Sequence, residues 1–223
     1  MQSIEGAQMS ESDTLGHSSG TAVQWNVARN PLKRCFDVLV SLATLLLLAP
    51  TLLLVALCIW LEDRGPVIFK QQRTGLNGAP FTIYKFRSMT VAHENGHVAQ
   101  ATRGDKRVTR VGAIIRALSI DELPQLMNVL KGDMSLVGPR PHALSHDEVW
   151  RRQTTNYDGR FRAKPGLTGY AQVLGYRGEL HSVEDLVSRI EADNRYIETW
   201  TLMLDVSIVL RTALLIFRDP RAY

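Results

Sequence analysis

Two adjacent carboxylates, Asp121 and Glu122, stand in Ser119-Ile-Asp-Glu-Leu-Pro-Gln-Leu126, and a rigid Pro139-Arg-Pro141 follows a short distance on. In the first turn of a helix starting after Ser119, they would lie beside unpaired backbone N–H groups and the positive end of the helix dipole, where phosphate also binds. Such an arrangement can do phosphoryl chemistry. The same residues have a purely local reading as well, because Ser119-x-x-Glu122 is a capping box. Leu123, Leu126, Met127 and Leu130 recur at helical spacing and would give this helix an apolar face to anchor it.

Cations that could face these carboxylates are spread along the chain. Tyr84-Lys-Phe-Arg-Ser-Met89 alternates in a way that puts Lys85 and Arg87 on one strand face, which could equally be a solvated face. Residues 67–71 and 81–86 read as two short strands on either side of Gly75-Leu-Asn-Gly78. Arg116 sits on a short helix over residues 113–118, where it could reach a bound phosphate or cover the surface. Arg177 closes a glycine-rich run from Lys164 to Gly178, whose glycines would permit close approach to a ligand, although neither a Walker loop nor a dinucleotide fingerprint is present. His93 and His97 have an i,i+4 spacing, but Gly96 and polar neighbours argue against a helix that would turn them into a metal site.

The elements that must position these groups are few. At 223 residues and 25.0 kDa the chain holds one full domain with appendages, and a net charge of +4 favours anionic partners. Residues 1–30 read as a flexible tail rich in Ser, Gly, Gln and Glu. After Lys33 and Arg34, an uncharged stretch from Val38 to Leu61 is long enough for a membrane segment and carries Pro50 near its centre. One kinked spanning helix and a re-entrant helix that breaks at Pro50 both satisfy this pattern. Cys35 and Cys58 have no metal-like spacing and form no disulfide framework. Ser182-Val-Glu-Asp185 caps a helix running to about Trp200, and a largely apolar helix from Leu202 to Phe217, interrupted by Asp205 and Arg211, suits a membrane interface or a buried core. With aromatics at 7% and no stacking motif among the basic residues, nucleic acid is not a partner of choice.

Several long motifs in a fixed order then converge. Pro50 within the apolar run, Tyr84-Lys-Phe-Arg-Ser-Met89, Arg116-x4-Asp121-Glu-Leu-Pro-Gln-Leu126, Gly132-Asp-Met-Ser-Leu-Val-Gly-Pro-Arg-Pro141 and Lys164-Pro-Gly-Leu-Thr-Gly169 resemble the bacterial sugar transferases known as small monotopic phosphoglycosyl transferases. The likeness covers roughly residues 31–223. Gly138-Pro-Arg-Pro-His142 and Gly175-Tyr-Arg-Gly-Glu179 resemble the undecaprenyl-phosphate glucose phosphotransferase branch, but Tyr170, Leu174 and Tyr176 depart from residues common there, which leaves the sugar open.

The resemblance implies an α/β chain, mainly helical with a short β-hairpin. It would be a monotopic membrane protein with a tail (1–30), a re-entrant, proline-broken helix (31–64) and a cytoplasmic catalytic domain (65–223) ending in an interfacial helix. The implied reaction moves a hexose 1-phosphate from a UDP-sugar to polyprenyl phosphate, at the cytoplasmic face of the bacterial inner membrane, releasing UMP and starting a surface glycan such as an exopolysaccharide. Asp121 would be the nucleophile, Glu122 a ligand of Mg²⁺, and Lys85, Arg87, Arg116, Arg140 and Arg177 the contacts to substrate phosphates. Membrane lipids are further partners, and a homo-oligomer is left open. The alternative from another class is a membrane-tethered scaffold of glycan assembly, in which the acidic pair only caps a helix.

Overall fold

The computed structural model describes residues 27–90, 105–176, 178 and 182–218; the tail to residue 26, His93, His97 and Arg177 lie outside them. The fold is mainly helical with a short antiparallel hairpin. Helix α1 (Pro31–Glu62) is followed by β1 (Ile68–Thr74) and β2 (Pro80–Phe86), then α2 (Arg110–Ala117), a 3₁₀ turn at Ile120–Gln125, α3 (Leu126–Lys131) and β3 (Ser135–Val137). Then come α4 (Leu144–Gln153), a 3₁₀ turn at Tyr157–Arg162, β4 (Gly166–Thr168), α5 (Tyr170–Val173), α6 (Val183–Glu198) and α7 (Leu202–Arg218).

Local chemistry sets these boundaries. Asn30 starts α1 by accepting hydrogen bonds from the N–H groups of Leu32 (2.9 Å) and Lys33 (3.2 Å), with Pro31 at the first helical position, where its missing N–H costs nothing. α1 runs as one 32-residue helix with Pro50 inside it. α2 begins at Arg110 rather than 113 because Thr109 Oγ1 accepts from Gly112 N at 2.9 Å. Ser182 caps α6 as the sequence suggests, accepting from Asp185 N at 3.1 Å. The hairpin pairs Ile68 with Phe86 through Thr74 with Pro80, and Asn77 takes the left-handed conformation in its turn.

One stripe of α1 lies against the body on either side of its middle. Phe36, Val40 and Leu45 pack on a core of Ile83, Leu126, Val129, Met134, Leu136 and Val137, while Leu52, Val55 and Ala56 pack on Ile59, Phe86 and Ile115. Polar ties accompany this packing at both ends. Near the start, Lys33 Nζ donates to Asp205 (2.6 Å), Tyr196 Oη (3.1 Å) and the Val137 carbonyl (3.0 Å), and Asp37 accepts from Leu136 N at 3.0 Å. Arg34 donates to the carbonyls of Val129 and Leu130 at the C-terminal end of α3. At its far end, Glu62 accepts from the N–H groups of Arg110 (2.7 Å) and Val111 (3.1 Å), and Asp63 pairs with Arg87. The opposite stripe, including Leu39, Leu46, Leu47, Leu53, Leu54 and Leu61, is exposed.

The glycine-rich run has a different purpose from the one its composition suggests. β4 pairs in parallel with β3, aligning Ser135 with Gly166 and Val137 with Thr168. A Cβ on Gly166 would lie 2.1 Å from Gly138 N, one on Gly169 2.3 Å from Gly138 O, and one on Gly138 2.3 Å from Lys164 O. These glycines therefore let two backbone segments touch. Because every obstructing atom is backbone, Gly138→Ala should cost about 1–3 kcal/mol and lower Tm by roughly 2–12 °C. Gly178→Ala, with open space around its Cβ, should leave Tm nearly unchanged; thermal scans of both variants check this.

Candidate active site

Asp121 and Glu122 lie in a 3₁₀ turn and not in the first turn of an α-helix, because Ser119 takes a left-handed conformation and its side chain makes no cap hydrogen bond. The capping box expected from the sequence is thus absent. Pro124 sits inside this turn, and α3 starts only at Leu126. Since a 3₁₀ turn advances 120° per residue instead of 100°, the buried face rotates. Leu126, Asn128 and Val129 point inward, and Met127, expected inside, is exposed.

Glu122 is the electrostatic centre. Lys85 Nζ lies 3.0 Å from its Oε1, and Arg140 grips both oxygens, Nη2 to Oε1 at 2.7 Å and Nη1 to Oε2 at 3.2 Å. Burial pushes this carboxyl up, but the charges of Arg140 and Lys85 and their hydrogen bonds outweigh it and hold Glu122 well below the usual carboxylate range. Asp121, buried beside it, enters no ion pair among the described residues. Burial and the charge of Glu122 push its carboxyl up to about 6, against the opposing charges of Lys85, Arg116 and Arg140. The pair is therefore divided: Glu122 is a fixed anion holding cations, and Asp121 is a carboxylate with no hydrogen bond or ion pair among the described residues.

The expected cations divide in the same way. Lys85 and Arg140 meet at Glu122, and Arg116, whose Nη1 lies 3.4 Å from Met89 Sδ, adds its charge at Asp121. Arg87 pairs with a different carboxylate. Strand β2 ends at Phe86, and the Arg87 guanidinium turns to Asp63 at the end of α1, Nη1 to Oδ2 at 3.2 Å with a second bond from Nη2 to the Asp63 carbonyl. Gly65 makes room for it, since a Cβ there would lie 2.0 Å from Arg87 Nη1. Arg87 thus braces the strand that carries Lys85.

Asn128 was not foreseen. Its Oδ1 accepts from Tyr84 N at 3.0 Å and its Nδ2 donates to the Thr82 carbonyl at 2.7 Å, so it stitches α3 to the open edge of β2 beside Lys85. Only its amide, with one donor and one acceptor for a strand edge, could have signalled this.

Among the described residues no group of three His, Cys, Asp or Glu converges to cage a metal ion. A pair of adjacent carboxylates does suit Mg²⁺ held jointly by protein and substrate phosphates, its usual mode in phosphoryl enzymes.

Two adjacent carboxylates, one clamped by Lys85 and Arg140 and the other with the charge of Arg116 beside it, make a site chemically suited to phosphate groups. The chain belongs to the bacterial sugar transferase family, whose profile matches residues 28–219. It is 54% identical over 197 residues to a UDP-glucose:undecaprenyl-phosphate glucose-1-phosphate transferase of Caulobacter vibrioides, covering 88% of this chain and 74% of that protein. Proteins of the same description from Klebsiella pneumoniae and Escherichia coli are 47% and 46% identical, over 86% of this chain; it spans 41% of the length of each.

The divided pair has a direct signature. In metal-free protein, the side-chain carbon resonance of Asp121 should titrate near pH 6, about two units above the ordinary aspartate. Asp121 is then mostly ionised above that pH and mostly protonated below it. Glu122→Gln removes the like charge and leaves Lys85 and Arg140 facing Asp121, so the midpoint should fall toward the ordinary range. An unmoved midpoint in that variant would contradict the coupling.

Proposed function

We propose that this protein transfers a hexose 1-phosphate from a UDP-sugar, UDP-glucose by likeness to its relatives, to polyprenyl phosphate, releasing UMP and opening the synthesis of a surface glycan. The observation that carries this reading is the division of labour in the acidic pair: Glu122 occupied by Lys85 and Arg140, and Asp121 in no ion pair among the described residues.

The Asp121 carboxylate attacks the β-phosphorus of the donor. The bond from that phosphorus to the bridging oxygen breaks, UMP leaves with the electron pair, and an aspartyl phosphosugar remains. A phosphate oxygen of the lipid acceptor then attacks the same phosphorus, the bond to Asp121 breaks, and the carboxylate is regenerated. Lys85 and Arg140 stand where negative charge accumulates on the transferring phosphoryl oxygens, preorganised by Glu122 before substrate arrives. The added charge of Arg116 keeps Asp121 more ionised than burial alone would allow. Glu122 and Asp121 are the residues that would hold Mg²⁺, which when bound screens the diphosphate charge.

We also place the protein at the membrane through a re-entrant α1 bent at Pro50. In support, α1 is about 48 Å long by its rise, more than the roughly 30 Å of a bilayer core, yet both of its ends are tied to one and the same body. A spanning helix would leave one end on the far side, without those partners. A helix dipping into one leaflet keeps the site at headgroup height, where a soluble donor and a lipid phosphate meet. In a bacterium this is the cytoplasmic face of the inner membrane.

Two experiments test these readings. Purified protein given UDP-glucose and Mg²⁺ without acceptor should release one equivalent of UMP in a burst, and Asp121→Asn should abolish the burst and cut turnover at least about 10³-fold while the protein stays folded. Near-normal turnover of that variant would defeat the nucleophile, and absence of UMP release from every UDP-sugar would defeat the function. Single cysteines at Arg29 and Arg64, in a background lacking Cys35 and Cys58, should both resist an impermeant thiol reagent in intact cells and react after lysis. Labelling of only one of them in intact cells would establish a spanning anchor.

A further inference from the structure

A second cluster of charge lies behind the site, enclosed in protein. Arg160, in the 3₁₀ turn Tyr157–Arg162, is 2% exposed. One of its nitrogens, Nη2, donates both to the carbonyl oxygen of Arg140 (2.5 Å) and to Asp193 Oδ2 on α6 (2.9 Å). The other, Nη1, donates to Tyr157 Oη (3.2 Å) and to His142 Nδ1, while Tyr157 Oη donates to Asp147 Oδ1 (2.5 Å) and Thr74 Oγ1 to Asp147 Oδ2 (2.5 Å). Burial and the charges of Arg160, Arg189, Arg140 and Arg73 keep His142 neutral, so its Nδ1 is free to accept.

We infer that Arg160 is a positioning residue that fixes the main chain of Arg140 against Asp193 and thereby aims the Arg140 fork at Glu122. A wholly buried ion pair adds little net stability, because desolvation offsets its attraction, and well-packed apolar groups would serve the fold equally well. What a guanidinium supplies here is geometry. Its planar donors reach four acceptors on three separate segments at fixed angles, which a lysine cannot do. The line runs without a gap from Asp193 through Arg160 to the Arg140 carbonyl, and from the Arg140 side chain to Glu122. Pro139 and Pro141 stiffen the main chain on either side, so a shift of the carbonyl is passed to the side chain and not absorbed.

The inference rests on the proposed transfer reaction for its activity readout, and a structural readout separates the two. Arg160→Lys should lower kcat about 10²-fold, the loss expected for a misplacement of about 1 Å, with a small change in donor KM. In an Arg140→Lys background the same substitution should cost under about 3-fold, because there is no fork left to aim. Hydrogen exchange of the segment 136–142 should speed up in Arg160→Lys while the rest of the protein keeps its protection. Should Arg160→Lys not fold, Asp193→Asn keeps the shape of the partner, removes its charge, and should show the same pattern in weaker form. Losses that multiply fully in the double variant, uniform exchange across the protein, or wild-type kcat in the folded single variants would overturn the positioning role. If wild-type protein releases no UMP, the exchange result still decides the inference while the functional reading falls.

Discussion

Two carboxylates next to each other in the chain cannot both be buried unless opposite charge is brought to them, and much of this structure answers that requirement. Glu122 lies out of solvent only because Lys85 and Arg140 meet it, and these cations come from segments 37 residues before it and 18 residues after it. Each segment has its own brace. β2 is held by Asn128 along its edge and by Arg87 at its end, and the main chain of Arg140 is held by Arg160. Charge neutralisation at one side chain thus sets the mutual position of β2, the acidic turn and the Pro-Arg-Pro segment.

The apolar helix completes the frame and is more than an attachment to it. Its start is bonded to β3, which leads directly into Arg140, and its end is bonded to α2, which leads into Asp121, and to Arg87 beside Lys85. Every segment that contributes to the acidic site therefore has a polar tie to α1 within about a dozen residues of its functional group. The exposed leucine stripe and the tied stripe are two sides of one helix, so the direction its leucines face and its grip on the site are set by the same rotation about its axis.

The local features were the legible ones. The apolar run, the hairpin around Gly75–Gly78 and the Ser182 cap could be read because each announces itself within a few residues, and of the cations expected near the acidic pair, Lys85 and Arg140 are brought to Glu122. Errors arose where distant partners decided the outcome. Ser119 lost its capping role to a left-handed turn, Arg87 found a carboxylate at Asp63, and the glycines at 166 and 169 lie in close contact with Gly138. Asp205 looked like an interruption in an apolar helix, and it is instead the fully buried partner of Lys33, 172 residues away in sequence. No periodicity encodes such a pairing, because only the fold brings its members together.

That last pairing bears on how separable the apolar helix is from the body. Asp205 is neutralised by an ammonium that belongs to the first turn of α1, so a body cut free before Gly65 would keep a carboxylate in its interior with its counter-ion gone, a loss of about 3–5 kcal/mol. It would also leave Arg87 without Asp63. Many membrane-attached enzymes can be shaved to a soluble catalytic core or fitted with a foreign tether. Here helix and body form one cooperative unit, so a transplanted anchor would have to reproduce Lys33, Asp37, Glu62 and Asp63 at their present spacing, and drift in one part must be matched by the other.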